Sequence, residues 1–155
     1  MNAADFSALV QDLVAQAKQL SEKHTAERNA PVNYACVFAQ SENEYEALLD
    51  ATQQLGGSIV KETTMGPVFK ISPITTAAGD LGLVKIRRPD PKRPERGDAD
   101  FTVSDYPHFK KTHLGRPGFS LITREDFEMI ELIDPAFNVL AYYSHPTLTE
   151  VLGLE

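Results

Sequence analysis

Apolar residues recur every three or four positions through the first stretch of the chain. Phe6, Leu9, Val10, Leu13, Val14, Ala17 and Leu20 fall in one stripe, which predicts an amphipathic helix over residues 3–28. Asn29-Ala30-Pro31 ends it. Such a stripe packs on its own domain or pairs with another chain. The pattern then changes. Residues 33–40 are apolar on both faces, as in a strand covered on both sides. Ser41-Glu42-Asn43-Glu44 opens a second helix with a capping box, Tyr45, Leu48, Leu49 and Leu55 supply its buried face, and Gly56-Gly57 stops it. Short strands follow at residues 58–62, 67–71 and 81–87, so the order is β-α-β-β-β.

The stretch PDPKRPERG, Pro89 to Gly97, carries three prolines and alternating charges, which suit neither a helix nor a central strand. After it the order recurs. Residues 98–104 read as a strand, 105–114 as a short helix or turn closed by Gly115, and 119–124, 127–133 and 138–144 as three more strands. The last two, FEMIELI and NVLAYYS, are joined by a turn at Asp134-Pro135. VFKI and LGLVKIR, beginning at Val68 and Leu81, are a fainter copy of that pair. A chain that repeats its own plan reads as two copies of one supersecondary unit. The expected division is an N-terminal helix over 1–30 and a domain over 31–150, with modules at 31–88 and 98–150 and a linker at 89–97.

Composition removes several functions. The 155 residues suffice for one compact domain or two small halves sharing a core. A net charge of −7 argues against a nucleic-acid partner, which needs a basic face. A single cysteine, Cys36, excludes a disulfide framework and a Cys-rich zinc site. Within YACVFA it reads as a buried thiol. The N-terminus lacks a signal-peptide pattern, and no apolar run is long enough to cross a bilayer. The expectation is a cytoplasmic monomer or homodimer with a small-molecule ligand and neither nucleic acid nor membrane as partner. No phosphate-binding glycine loop, G-x-S-x-G elbow or H-E-x-x-H appears, and His108 and His113 are spaced wrongly to share a helix face.

Candidate chemistry lies on the strands. In GDADFTVSD, Asp98, Asp100, Thr102 and Ser104 share one face, and Ala99, Phe101 and Val103 share the other. The polar face lines a site or, in an edge strand, meets solvent. Glu131 shares a face with Phe127, Met129 and Ile133, and a carboxyl among apolar neighbours is a candidate acid or base. The opposite face carries Glu128, Ile130 and Leu132, so the pattern leaves open which side is buried. Lys70 on the matching strand of the first half has the same ambiguity. The basic run Lys85, Arg87, Arg88, Lys92, Arg93 and Arg96 either holds an anion or is a solvated link offset by Asp90, Glu95 and Asp98.

Two βαβββ units in one chain resemble the vicinal oxygen chelate superfamily, the fold of glyoxalase I, extradiol dioxygenases and bleomycin-resistance proteins. DPAFNVLAYY, Asp134 to Tyr143, looks like that superfamily's turn and final strand. The stretch from Gly66 to Val103, with its Gly-Pro strand and proline-arginine linker, is closer to the YecM family, as is the closing His145-Pro146. The resemblance implies an α+β fold: an N-terminal helix plus paired modules forming a curled mixed sheet, a glyoxalase-like cup. It also implies a divalent ion held by side chains inside the cup and acting as a Lewis acid. The corresponding positions are Tyr34, about Val84, Asp100 and Ala141. Only Asp100 is an ordinary ligand, and alanine stands where the family motif has glutamate. The expected set is therefore Asp100 and Glu131 as candidate catalytic groups, and Tyr34, Lys70, Asp100, Thr102 and Tyr143 as ligand contacts. No cofactor is expected. The alternative is a divalent-metal isomerase, lyase or dioxygenase with an atypical ligand set around Asp100. A scaffold with no ligand would fill the cup with its own side chains.

Overall fold

The first helix starts where the sequence supplies a cap. In the computed structural model, which describes residues 1–154, Asn2 accepts the Asp5 N–H and Asp5 accepts the Asn2 N–H, so α1 (Ala3–His24) begins with a capping box. Its stripe of Phe6, Val10, Leu13, Val14, Ala17 and Leu20 is buried against the sheet. β1 (Val32–Phe38) follows, then α2 (Glu42–Gln54), β2 (Ser58–Thr63), β3 (Gly66–Thr76) and β4 (Gly79–Arg87). The second set is β5 (Gly97–Phe101), α3 (Tyr106–His113), β6 (Phe119–Thr123), β7 (Glu128–Leu132) and β8 (Val139–His145). A short α4 (Leu148–Leu152) ends the described chain.

All eight strands form one mixed sheet in the order β2-β3-β4-β1-β5-β8-β7-β6. This order is the same read from either edge, with each module contributing one half. β1 runs parallel to β4 and β5 parallel to β8, while β1 and β5 pair antiparallel at the centre. The duplication read from the sequence is thus present as topology. Gly97 sits at that centre for a steric reason. A Cβ there would lie 2.2 Å from the Cys36 carbonyl oxygen and 2.5 Å from Leu13 Cδ1, so a larger residue would push α1 and β1 away from β5.

α1, α2 and α3 supply side chains to one face of the sheet, where Phe6, Leu20, Leu48, Ile86, Phe101, Phe109 and Tyr143 belong to the main core. Ser41 caps α2 by accepting the Glu44 N–H at 3.1 Å. Glu44 does not complete the expected box. Its carboxylate accepts the Gln40 N–H at 2.9 Å and two N–H groups of Arg96 at 2.7 and 3.0 Å. Ser41→Ala is expected to cost about 0.5–2 kcal/mol, the usual worth of such a cap, measured by urea titration. No helix among the described residues is long and apolar enough to cross a membrane.

Candidate functional site

The face of the sheet away from the main core carries the site. Side chains alternate across a strand, so register decides what meets there. β1 presents Tyr34, Cys36 and Phe38, and β4 presents Lys85 and Arg87 beside them. β5 presents Asp98 and Asp100, paired in register with Cys36 and Tyr34. β8 adds Tyr142 and Ser144, and β7 adds Met129 and Glu131, paired with Ser144 and Tyr142. Together with Met65, Arg93, Ile122, Arg124 and Phe127, several of these enclose a cavity of about 230 Å³. An adjoining cleft of about 490 Å³ shares Tyr34, Met65, Lys85, Arg124 and Phe127, and extends to Val68 and Leu148.

Three carboxyls lie under or beside this cavity, each in a different setting. Asp98 lines it, is 5% exposed, and its Oδ1 has no hydrogen-bond partner among the described residues. Burial, reinforced by the neighbouring Asp100, pushes its carboxyl well above the usual range, against the opposing pull of Lys85 and Arg87. Asp100 has no exposed surface and accepts hydrogen bonds from the Ser144 hydroxyl and from the Ser144 N–H. Burial raises it to about 7, and the two Ser144 bonds limit the rise. Glu131 accepts the Tyr142 hydroxyl at 2.5 Å and an Arg93 N–H at 3.0 Å. Its Phe127–Met129 face is the one toward the cavity, because Ile130 and Leu132 enter the main core. Cys36 also lines the cavity, and burial followed by the field of Asp98 holds it as a neutral thiol.

Some expected contacts lie elsewhere. Tyr143 is on the helix side, with its hydroxyl 2.6 Å from Ser21 Oγ of α1 and its ring against Phe101 and Phe109. Tyr142 occupies the open-face place given to it. Val84 and Ala141 likewise belong to the main core. Thr102 lies beyond the end of β5, where its N–H donates to the Pro31 carbonyl, and it lines a different pocket with Ser104. Lys70 is exposed on β3, opposite Leu83 and away from the cavity lining. Tyr34, Asp100 and Glu131 do lie on the open face. Tyr34 lines the cavity, whereas Asp100 is fully buried against Ser144 and does not line it.

The basic linker is not simply solvated. Arg93 reaches Glu131, Arg96 clamps Glu44, and Arg87 pairs with Asp90 at 3.2 Å while lying over the Phe38 ring. Lys85, Arg87, Arg93 and Arg124 all line the cavity. Of the residues that sequence reasoning passed over, Tyr142 and Ser144 follow from the same strand once its register is known. Lys85 and Arg87 already belong to the basic run with an anion-holding reading, and they face the cavity because cations and apolar residues trade places in VKIR.

The donors do not fit a resident divalent ion. The open-face residues at or next to the four family positions are Tyr34, Lys85, Asp100 and Tyr142. That set offers one carboxyl, one ammonium and two phenols, and burial raises both phenols further from ionisation. Among the described residues, no group of three or more His, Cys, Asp or Glu side chains is placed to hold a metal.

No protein-family model matches the chain, and no curated protein matches it. Among solved structures it is similar to a glyoxalase/bleomycin resistance protein/dioxygenase superfamily member from Vibrio splendidus. That match has 10% identity and a TM-score of 0.45, covering 74% of this chain and 97% of the other. It is also similar to methylmalonyl-CoA epimerase from Mycobacterium tuberculosis at 12% identity and a TM-score of 0.47, covering 77% and 91%. A mutant 4-hydroxymandelate synthase from Streptomyces coelicolor shares 10% identity over 80% of this chain and 50% of its own, with a TM-score of 0.41.

Proposed function

We propose that this chain is a glyoxalase-like binding protein, nearest in its sequence words to the YecM family, whose open sheet face forms a cup for a small polar molecule. Binding needs no metal. The observation that carries this reading is Asp98 Oδ1, a buried polar atom in a cavity wall with no partner among the described residues. Leaving such an atom unpaired costs about 1–3 kcal/mol, and a ligand group that pairs with it recovers that cost. The cavity is small beside the roughly 300–1,000 Å³ of drug-sized sites, so the group that enters it is small. Its wall is mixed: Phe38, Ile122, Phe127 and Met129 bury an apolar part, and Asp98, Tyr34, Tyr142 and the cations orient a polar one.

Proton transfer is the weaker reading. Asp100 has ionisation suited to neutral pH, yet it has no exposed surface and its carboxylate is taken up by the Ser144 hydroxyl and N–H, so it does not line the cavity where a ligand would meet it.

The test is a thermal-shift screen of chelator-treated protein against small acids, amides and polyols. Some members are expected to raise the melting temperature of the native protein. Asp98→Leu, which removes the unpaired oxygen in a side chain of similar shape, is expected to melt at the same or a higher temperature and to lose that ligand-induced rise, as at sites where function costs stability. A rise that appears only when a divalent metal is added back would contradict the reading.

A further inference from the structure

The cavity has the opposite sign of charge from the molecule around it. The chain carries 15 Lys and Arg against 22 Asp and Glu, for a net charge of −7. The cavity wall carries Lys85, Arg87, Arg93 and Arg124 against the single carboxyl of Asp98. Two of these cations are already matched, Arg87 by Asp90 and Arg93 by Glu131 at 3.0 Å. Lys85 and Arg124 have no acidic partner within 4.0 Å among the described residues. Burial also holds Asp98 toward its neutral acid, so it does not cancel them. A concave, partly apolar wall with two unmatched cations focuses a positive field, which raises the local concentration of anions.

Position sharpens the requirement. Lys85 lies beside Cys36 in the β1–β4 pairing, near the cavity floor, whereas Arg124 lies just past the end of β6. Both also line the adjoining cleft, whose own Lys61 stands against Glu62, Glu125 and Asp126, so the excess of cations lies on the cavity side of the place where the two spaces meet. Among the other lining residues, Phe38 and Met129 belong to one buried apolar cluster, with Ile122 and Phe127 packed against it.

We infer that the ligand is a small organic oxyanion, with its carboxylate or phosphate between Lys85 and Arg124 and an apolar body against Phe38, Ile122, Phe127 and Met129. A neighbouring carbonyl or hydroxyl of the ligand meets the unpartnered oxygen of Asp98. This inference rests on the proposed binding role of the cup and specifies its ligand class.

The test is calorimetric titration of the whole chain with matched probes: phenylpyruvate, benzoate and phenyl phosphate as anions, and benzamide and phenylacetone as neutral counterparts. Each anion is expected to bind more tightly than the neutral probes, and binding should weaken as salt is raised. The stronger of the carboxylate and phosphate arms identifies the oxyanion. Lys85→Met is expected to weaken anion binding about 10- to 100-fold, the worth of one charge-assisted hydrogen bond. Should that variant fail to fold, Arg124→Gln on the exposed turn supplies the same comparison. Neutral probes binding as well as the anions would overturn the oxyanion inference and leave the binding cup standing. If neither kind binds, both readings fall.

Discussion

Between pH 4 and pH 7 the folded state is expected to lose about 4 kcal/mol of stability through Asp100 alone. The unfolded chain releases this proton near pH 4, whereas burial holds it in the native protein to about pH 7. A native group with a raised carboxyl pKa binds the extra proton through that window. Stability is therefore undiminished below about pH 4, falls as pH rises to about 7, and is flat above. Asp98 acts in the same direction. Asp134, held below the usual carboxylate range by Lys23, the Ala136 N–H and His24, acts in the opposite sense and only at more acid pH. The two effects separate by window. Asp100→Asn imitates the neutral acid, with its amide able to serve both the Ser144 N–H and hydroxyl. Urea titrations at pH 4.5 and pH 8 should show the variant losing far less stability between the two than the native protein. Equal losses would mean that Asp100 ionises freely and is not desolvated as described.

Leu48→Ala is expected to cost about 2–5 kcal/mol. Leu48 has no exposed surface and belongs to the core between α2 and the sheet, so truncation removes apolar burial and leaves a cavity that α2 cannot close freely. The same titration run on Ser41→Ala gives the comparison, since the cap and the core residue lie on one helix. Losses that are small and equal would show that α2 is not pinned to the sheet through this residue.

The sequence was most informative where a pattern had a period. The α1 stripe, the capping serine of α2 and the repeated βαβββ order all reappear in the structure, because each rests on local spacing. Register was not legible in the closing strand. β8 is buried at Val139 through Ser144 on both faces, so no alternation of apolar and polar residues marks which face is which. A slip of one residue exchanges the faces, and this is why Tyr143 and Ala141 stand on the helix side while Tyr142 faces the cavity. The end of β5 was overextended for another reason. Thr102 and Ser104 continue the alternation, but the Thr102 N–H leaves the ladder for Pro31 and Asp105 caps α3. The linker arginines find partners 38 and 52 residues away in Glu131 and Glu44, contacts that no local pattern records. α4 did have a signal: Thr147-Leu148-Thr149-Glu150 is a capping box, and both its bonds are present.

The most direct test of a metal-free binding cup is a chemical-shift map of chelator-treated, isotope-labelled protein titrated with phenylpyruvate. The perturbed residues are expected to cluster on one sheet face, at Tyr34, Cys36, Lys85, Asp98 and Tyr142, while Tyr143, Lys70 and Thr102 stay still. Perturbations that gather elsewhere, or that appear at those residues only after a divalent metal is added, would contradict it.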